Sequence, residues 1–175
     1  MEIVTVLVIV GVLAAVLYPA VAVQIRKGQT SAVADQLRNL REAIANYKAN
    51  VQRYPRFLTQ LTQQPAAGAP DVCSGGTLPA GLANAWRGPY LAQNVVGNMP
   101  VGDATVQNTI LRNPVDNSVA AVGLLQIQVT DVDQAYATDL EAQFDGNSDF
   151  TTGTITWVAS GSSGTLTFQV PIRNC

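Results

Sequence analysis

The chain opens with an unbroken apolar run. Ile3 to Gln24 contains no charged residue. As a helix these 22 residues rise roughly 33 Å, enough to cross the hydrocarbon layer of a bilayer. The pattern then changes character. Over residues 29–53, Val33, Leu37, Leu40, Ile44, Tyr47 and Val51 recur at spacings of 4, 3, 4, 3 and 4, which is one stripe along a helix. Asp35, Arg38, Arg41, Glu42 and Lys48 fall off that stripe. No proline lies between Pro19 and Pro55, and Gly28 is the only glycine between them. The pattern therefore predicts a single rod of about 50 residues and roughly 75 Å, stopped by Pro55. Its first half is apolar all round, and its second half has one face to lay on a globular domain.

The remaining pattern is mixed. Residues 63–81 are rich in Pro, Gly and Ala and read as a loop. Residues 119–132 alternate around Leu125, Ile127 and Val129, which predicts a strand. Residues 153–160 and 164–170 flank a Gly-Ser turn and predict a hairpin, with Ile155 and Trp157 on one face and Leu166, Phe168 and Val170 on another. Between these, Val132, Tyr136, Leu140 and Phe144 keep a spacing of 4. This predicts a short helix capped by Asp131 or Asp133. The expected fold is α+β, a long N-terminal helical spine packed on a C-terminal antiparallel sheet head. Residues 1–28 form its apolar helix and 29–54 the amphipathic continuation; 55–118 connect, and 119–175 form the head.

Composition narrows the function. The net charge is −2, the pI is near 4.9 and there is no histidine. No basic stripe invites nucleic acid, and the commonest general base and metal ligand is missing. A Ser-His-Asp triad is impossible. Charged residues make up only 13% of the chain, a surface weakly defended against self-association. The two cysteines, Cys73 and Cys175, have no zinc-type spacing. In an exported, oxidising compartment they would form a disulfide; two buried free thiols are the alternative.

Glu2 is the oddity, because it places a carboxylate at the edge of the apolar run. A signal peptide does not fit, since no Lys or Arg precedes the run and the run is too long. A plain membrane anchor gains nothing from Glu2, or from Gly11 and Pro19, which weaken a helix interior. A bundle of copies uses all three. A carboxylate buried among apolar helices needs a cation, and the amino terminus of a neighbouring copy supplies one. Glu2 would then fix the axial stagger, and Gly11 to Pro19 would mark where the helix bends or unwinds during packing.

The segment EIVTVLVIVGVLAAVLYP resembles the amino-terminal helix of type IV pilins and of type II secretion pseudopilins. In that family a glutamate is followed nine residues later by glycine and seventeen residues later by proline; Glu2, Gly11 and Pro19 keep both spacings. The family usually carries four residues before the glutamate, starting with a methylated phenylalanine, whereas Met1 alone stands there in this sequence. Tyr54-Pro55 and the stretch WRGPYL, Trp86 to Leu91, are similar to the major pseudopilin, whose Asp-Pro-Trp-Gly calcium motif is not found here. The resemblance implies a non-enzymatic filament subunit that resides in the inner membrane before assembly. Its implied partners are identical subunits, assembly machinery and a prepilin peptidase.

The resulting expectation is an extracellular type IV pilus subunit serving adhesion, twitching motility or DNA uptake. A type II secretion pseudopilin is the first alternative, and a membrane-anchored monomeric binding module is the second. The expected assembly residues are Glu2, Gly11 and Pro19, and the expected disulfide is Cys73 with Cys175. No catalytic residue, cofactor or metal is expected. Asp145-Gly-Asn147-Ser-Asp149 alternates oxygen ligands, but it reads as an Asp-Gly turn because the rest of a calcium loop is missing.

Overall fold

The computed structural model describes residues 2–73, 76–113, 123–147 and 149–173. One helix, α1, runs from Glu2 to Val51. It is followed by two single-turn helices, α2 (Thr59–Thr62) and α3 (Ala80–Ala83), and the strands β1 (Met99–Val101), β2 (Ala104–Asn113) and β3 (Gly123–Val132). Helix α4 (Gln134–Phe144) and the strands β4 (Ile155–Ser160) and β5 (Ser163–Ile172) complete the chain. The five strands form one sheet in the order β1-β2-β3-β5-β4, and each neighbouring pair is antiparallel.

The second half of α1 is helical because its apolar stripe has a core to enter. Val33, Leu37, Leu40, Ile44, Tyr47 and Val51 are at most 1% exposed, joined by Ala34 and Ala43. They meet the inner face of the sheet, where Val106, Ile110, Leu125, Ile127, Val129, Leu166 and Phe168 are fully buried. The helix ends on Gln52, a left-handed residue at φ 58° whose N–H donates to the Lys48 carbonyl at 2.9 Å. This is a C-terminal cap without glycine. Lys48 reinforces it, with Nζ 3.4 Å from the Gln52 carbonyl and 4.5 Å from the centre of the Tyr54 ring.

The hairpin β4–β5 pairs Trp157 with Leu166 and Ser160 with Ser163, leaving Gly161 and Ser162 as a tight turn, with Gly161 at φ 72°. Gly164 is required beside it. A Cβ there would lie 2.6 Å from Nε1 of Trp157, which donates to the Val132 carbonyl at 3.2 Å. Of the two expected caps of α4, Asp133 serves: its carboxylate accepts the Tyr136 N–H at 2.7 Å. Asp131 instead sits at φ 65°, turning the chain from β3 into the helix.

One expectation is corrected. The head begins earlier than residue 119, because β1 and β2 lie inside the stretch read as a connection. The alternation of β2 is interrupted at Asn108, half-buried between Val106 and Ile110 where the register with β3 shifts, which disguises the strand. In the single chain α1 continues through Gly11 and Pro19 without interruption; the bending expected there belongs to packing between copies. In the single chain a proline costs its helix one backbone hydrogen bond, and the flanking turns hold.

Candidate assembly surface

The first half of α1 leaves the head entirely. From Ile3 to Ile25 its described large apolar side chains are between 45% and 78% exposed. Burying one such side chain contributes about 1.5–3 kcal/mol, and soluble monomers rarely show a contiguous apolar patch of more than a few hundred Å². This surface therefore demands a cover, either lipid or other protein. Among the described residues no helix is long and apolar enough to cross a membrane. The expected span from Ile3 to Gln24 includes Val16, Pro19, Ala20 and Ala22, whose side chains lie outside the described ones.

Of the expected assembly residues, Gly11 is fully described. A Cβ on it would meet nothing within 4 Å, so its small size serves nothing inside one subunit. Glu2 and Pro19 are placed on α1, nine and eight residues to either side of Gly11; their side chains lie outside the described ones. Cys73 is 5% exposed and disulfide-bonded, while Cys175 lies outside the described residues.

The projecting half meets the head at a neck built from α1, α4 and the β1–β2 turn. The Tyr136 hydroxyl donates to the Gln29 carbonyl at 3.1 Å, the Gln29 amide donates to Asp103 at 3.0 Å, and Arg26 faces Asp139 at 3.8 Å. Burial pushes the Tyr136 phenol up to about 12, with Asp103 and Asp133 adding to it. At the far end of α1, Tyr47 meets Tyr90 edge-on with centroids 5.9 Å apart, and Tyr90 meets Trp86 at 5.7 Å. Nε1 of Trp86 donates to the Gln60 carbonyl at 3.0 Å. A Cβ at Gly88 would overlap the Trp86 indole, so the ring lies directly on the backbone there. Trp86 to Leu91 thus clamps the loop to the end of the spine.

The Asp145 to Asp149 loop is held by its own carboxylates. Asp145 accepts the N–H groups of Thr154 and Ile155, each at 2.8 Å. Asp149 accepts from the hydroxyls of Thr151 and Thr152 at 2.6 and 2.9 Å, hydrogen bonds that hold its carboxyl below the usual range. These are the bonds of an Asp-capped turn.

One buried group escapes the sequence pattern. Glu141 on α4 is fully buried, and neither of its carboxylate oxygens has a hydrogen-bond partner among the described residues. Burial, then Asp145 and Asp149, raise its pKa from 4.5 to about 7. Between those values the folded chain holds a proton that the unfolded chain has released. The stability carried by the neutral form is complete below about 4.5 and is lost as pH rises toward 7. Glu141→Gln should therefore match the native chain near pH 4 and exceed it by about 1–3 kcal/mol near pH 8. Urea unfolding at both pH values reads the difference; a parallel offset at the two pH values would contradict it.

A single helix, half embedded in an antiparallel sheet head and half projecting from it, is an α+β arrangement consistent with the pilin fold. Its exposed half is an apolar surface that needs a cover. The model of the family described as type II secretion system (T2SS), protein G, matches residues 20–104. The matched segment runs from the projecting half of α1 through the buried stripe and the Trp86 clamp to the start of β2. The similarity is to a structural secretion-system subunit, not to an enzyme. No curated protein and no solved structure matches the chain.

Proposed function

We propose that the protein is a pseudopilin-like structural subunit of a type II secretion system. It rests in the inner membrane through the first half of α1 and polymerises into a short periplasmic filament by packing that half against copies of itself. The similarity of residues 20–104 to the protein G family carries this reading, and the projecting apolar helix supports it. The surface-pilus expectation drawn from the amino-terminal helix gains no separate support, because that helix is common to both classes.

Within this reading, Glu2 meets the amino terminus of a neighbouring subunit in the helical bundle, and Gly11 and Pro19 accommodate the close packing. Cys73 pairs with Cys175 in the same oxidising compartment. Electron microscopy of cell-envelope fractions tests the reading: short periplasmic filaments with a regular helical rise are expected. Long shed surface fibres would favour a pilus, and a lone lipid-bound species at every concentration would favour an anchored binding module. Glu2→Ala subunits, mixed with unaltered ones, should enter filaments about tenfold less well, as losing one partner of a buried pair implies. Equal incorporation of tagged Glu2→Ala and native subunits would remove the register role.

A further inference from the structure

The described charges are sorted along the spine. Asp103, Asp131 and Asp133 line a hollow of about 220 Å³ at the neck with Arg26, Gln29 and Tyr136. All three carboxylates are exposed; Asp139 faces Arg26 and shares a second hollow with Lys27, so four carboxylates stand against two cations at the neck. At the opposite end of the head stand Lys48, Arg53, Arg56, Arg87 and Arg173. That location follows from Lys48 in the last turn of α1, from Tyr54 bonding to the Arg173 carbonyl and from Arg87 joined through Tyr90 to Asn50. The carboxylate described among them is Asp71, which is buried and faces Arg53 at 3.6 Å. Among the described residues Arg56, Arg87 and Arg173 face no carboxylate.

Resting on the filament reading, we propose that these two ends are mates: the acidic neck of one copy seats on the basic end of the next copy along the filament axis. The two ends are about 40 Å apart along α1, from Arg26 to Arg53 at roughly 1.5 Å per residue. That is several Debye lengths at physiological salt, so they do not neutralise each other within a chain. Parallel copies one head length apart along the axis bring unlike ends into contact, while copies of smaller stagger between them keep the apolar halves, each about 35 Å long, packed together. Antiparallel packing brings like ends together, which is costly. The charge separation thus selects the polarity of the polymer, a choice that a helix apolar on all sides leaves open.

The test compares full-length chains by polymer mass, electron microscopy and head melting temperature. Asp103→Lys with Asp131→Asn reverses the neck; asparagine is chosen because it tolerates the left-handed backbone of that position. Arg87→Glu with Arg173→Glu reverses the other end. Each pair alone should cut polymer mass about tenfold with the head melting temperature unchanged, and all four substitutions together should recover to within about twofold of the native chain. Raising salt from about 50 to about 500 mM should weaken native assembly, since screening acts on charge and not on the apolar contacts. Native-like polymer from either single reversal, no recovery in the combined chain, or assembly indifferent to salt would each overturn the mating while leaving the filament reading standing. Failure of the native chain itself to polymerise would overturn both.

Discussion

Leu13→Lys is expected to remove polymer formation while leaving the head folded. Leu13 is 56% exposed on the projecting half of α1. A lysine at the centre of an apolar segment costs about 2.5–3.5 kcal/mol, so each copy loses roughly a hundredfold in its tendency to join the bundle. Because no head residue is disturbed, the cooperative melt of the sheet and its buried stripe should move by less than about 0.5 kcal/mol, as for other surface changes. Leu13→Ala, which stays apolar, should retain most of the assembly. Sedimentation of detergent-released protein, read beside a circular dichroism melt, separates the two halves of the helix. Polymer at native levels from the lysine chain would show that the exposed surface is not the assembly surface.

Tyr47→Ala should do the reverse and strike the head. Tyr47 is 1% exposed and is the largest fully buried side chain contributed by α1, with the Tyr90 ring against it. Burial pushes its phenol up to about 12, and Tyr90 and Asp71 add to the shift. Truncation leaves a cavity that the helix and the Trp86 clamp cannot both close, because Trp86 is fixed by Gly88 beneath it. The expected loss is about 3–5 kcal/mol, or a fall of about 10 °C in Tm for a domain of this size. Tyr47→Phe should recover most of it. A shift of less than about 1 kcal/mol in the alanine chain would mean that the ring is not part of the core, against its burial.

The spine was the most legible part of the chain, for a physical reason. A helix must keep one phase over its whole buried length, so six apolar positions in α1 announced themselves through spacing alone, and all six are buried. The hairpin was legible because a strand alternates and the two-residue turn at Gly161 needs a residue that accepts positive φ. Strand β2 was hidden because polar Asn108 takes the place between Val106 and Ile110 on the buried face, leaving those apolar positions four residues apart, a spacing that also reads as helical. Arg112 deepened the disguise: a charged residue at the end of the strand is 6% exposed and donates to the Cys73 carbonyl at 3.0 Å.

The candidate surface was legible in part. The apolar half of α1 was plain in the sequence, while the meeting of acidic side chains at the neck was not. Asp103 and Asp131 are 28 residues apart in the chain and reach one hollow only because β2 and β3 pair antiparallel beside the turn that carries Asp103. Glu141 was missed because charged residues on a helix were assigned to solvent. The usable signal was its place one residue after Leu140 and four after Ala137, which widens the apolar stripe of α4 into a second column. Both flanking residues are fully buried.

The continuity of α1 has a mechanical corollary. One backbone, Glu2 to Val51, serves as both shaft and keel, so a tug applied where shafts are bundled arrives in the keel without crossing a loop. Along that path Gly11, Pro19 and Gly28 hold the helix less firmly than alanine, each glycine by about 1 kcal/mol, and Gly28 stands one position before the Gln29 tether. In the proposed filament any bending falls at these places, two in the shaft and one at its collar, while the keel above stays straight.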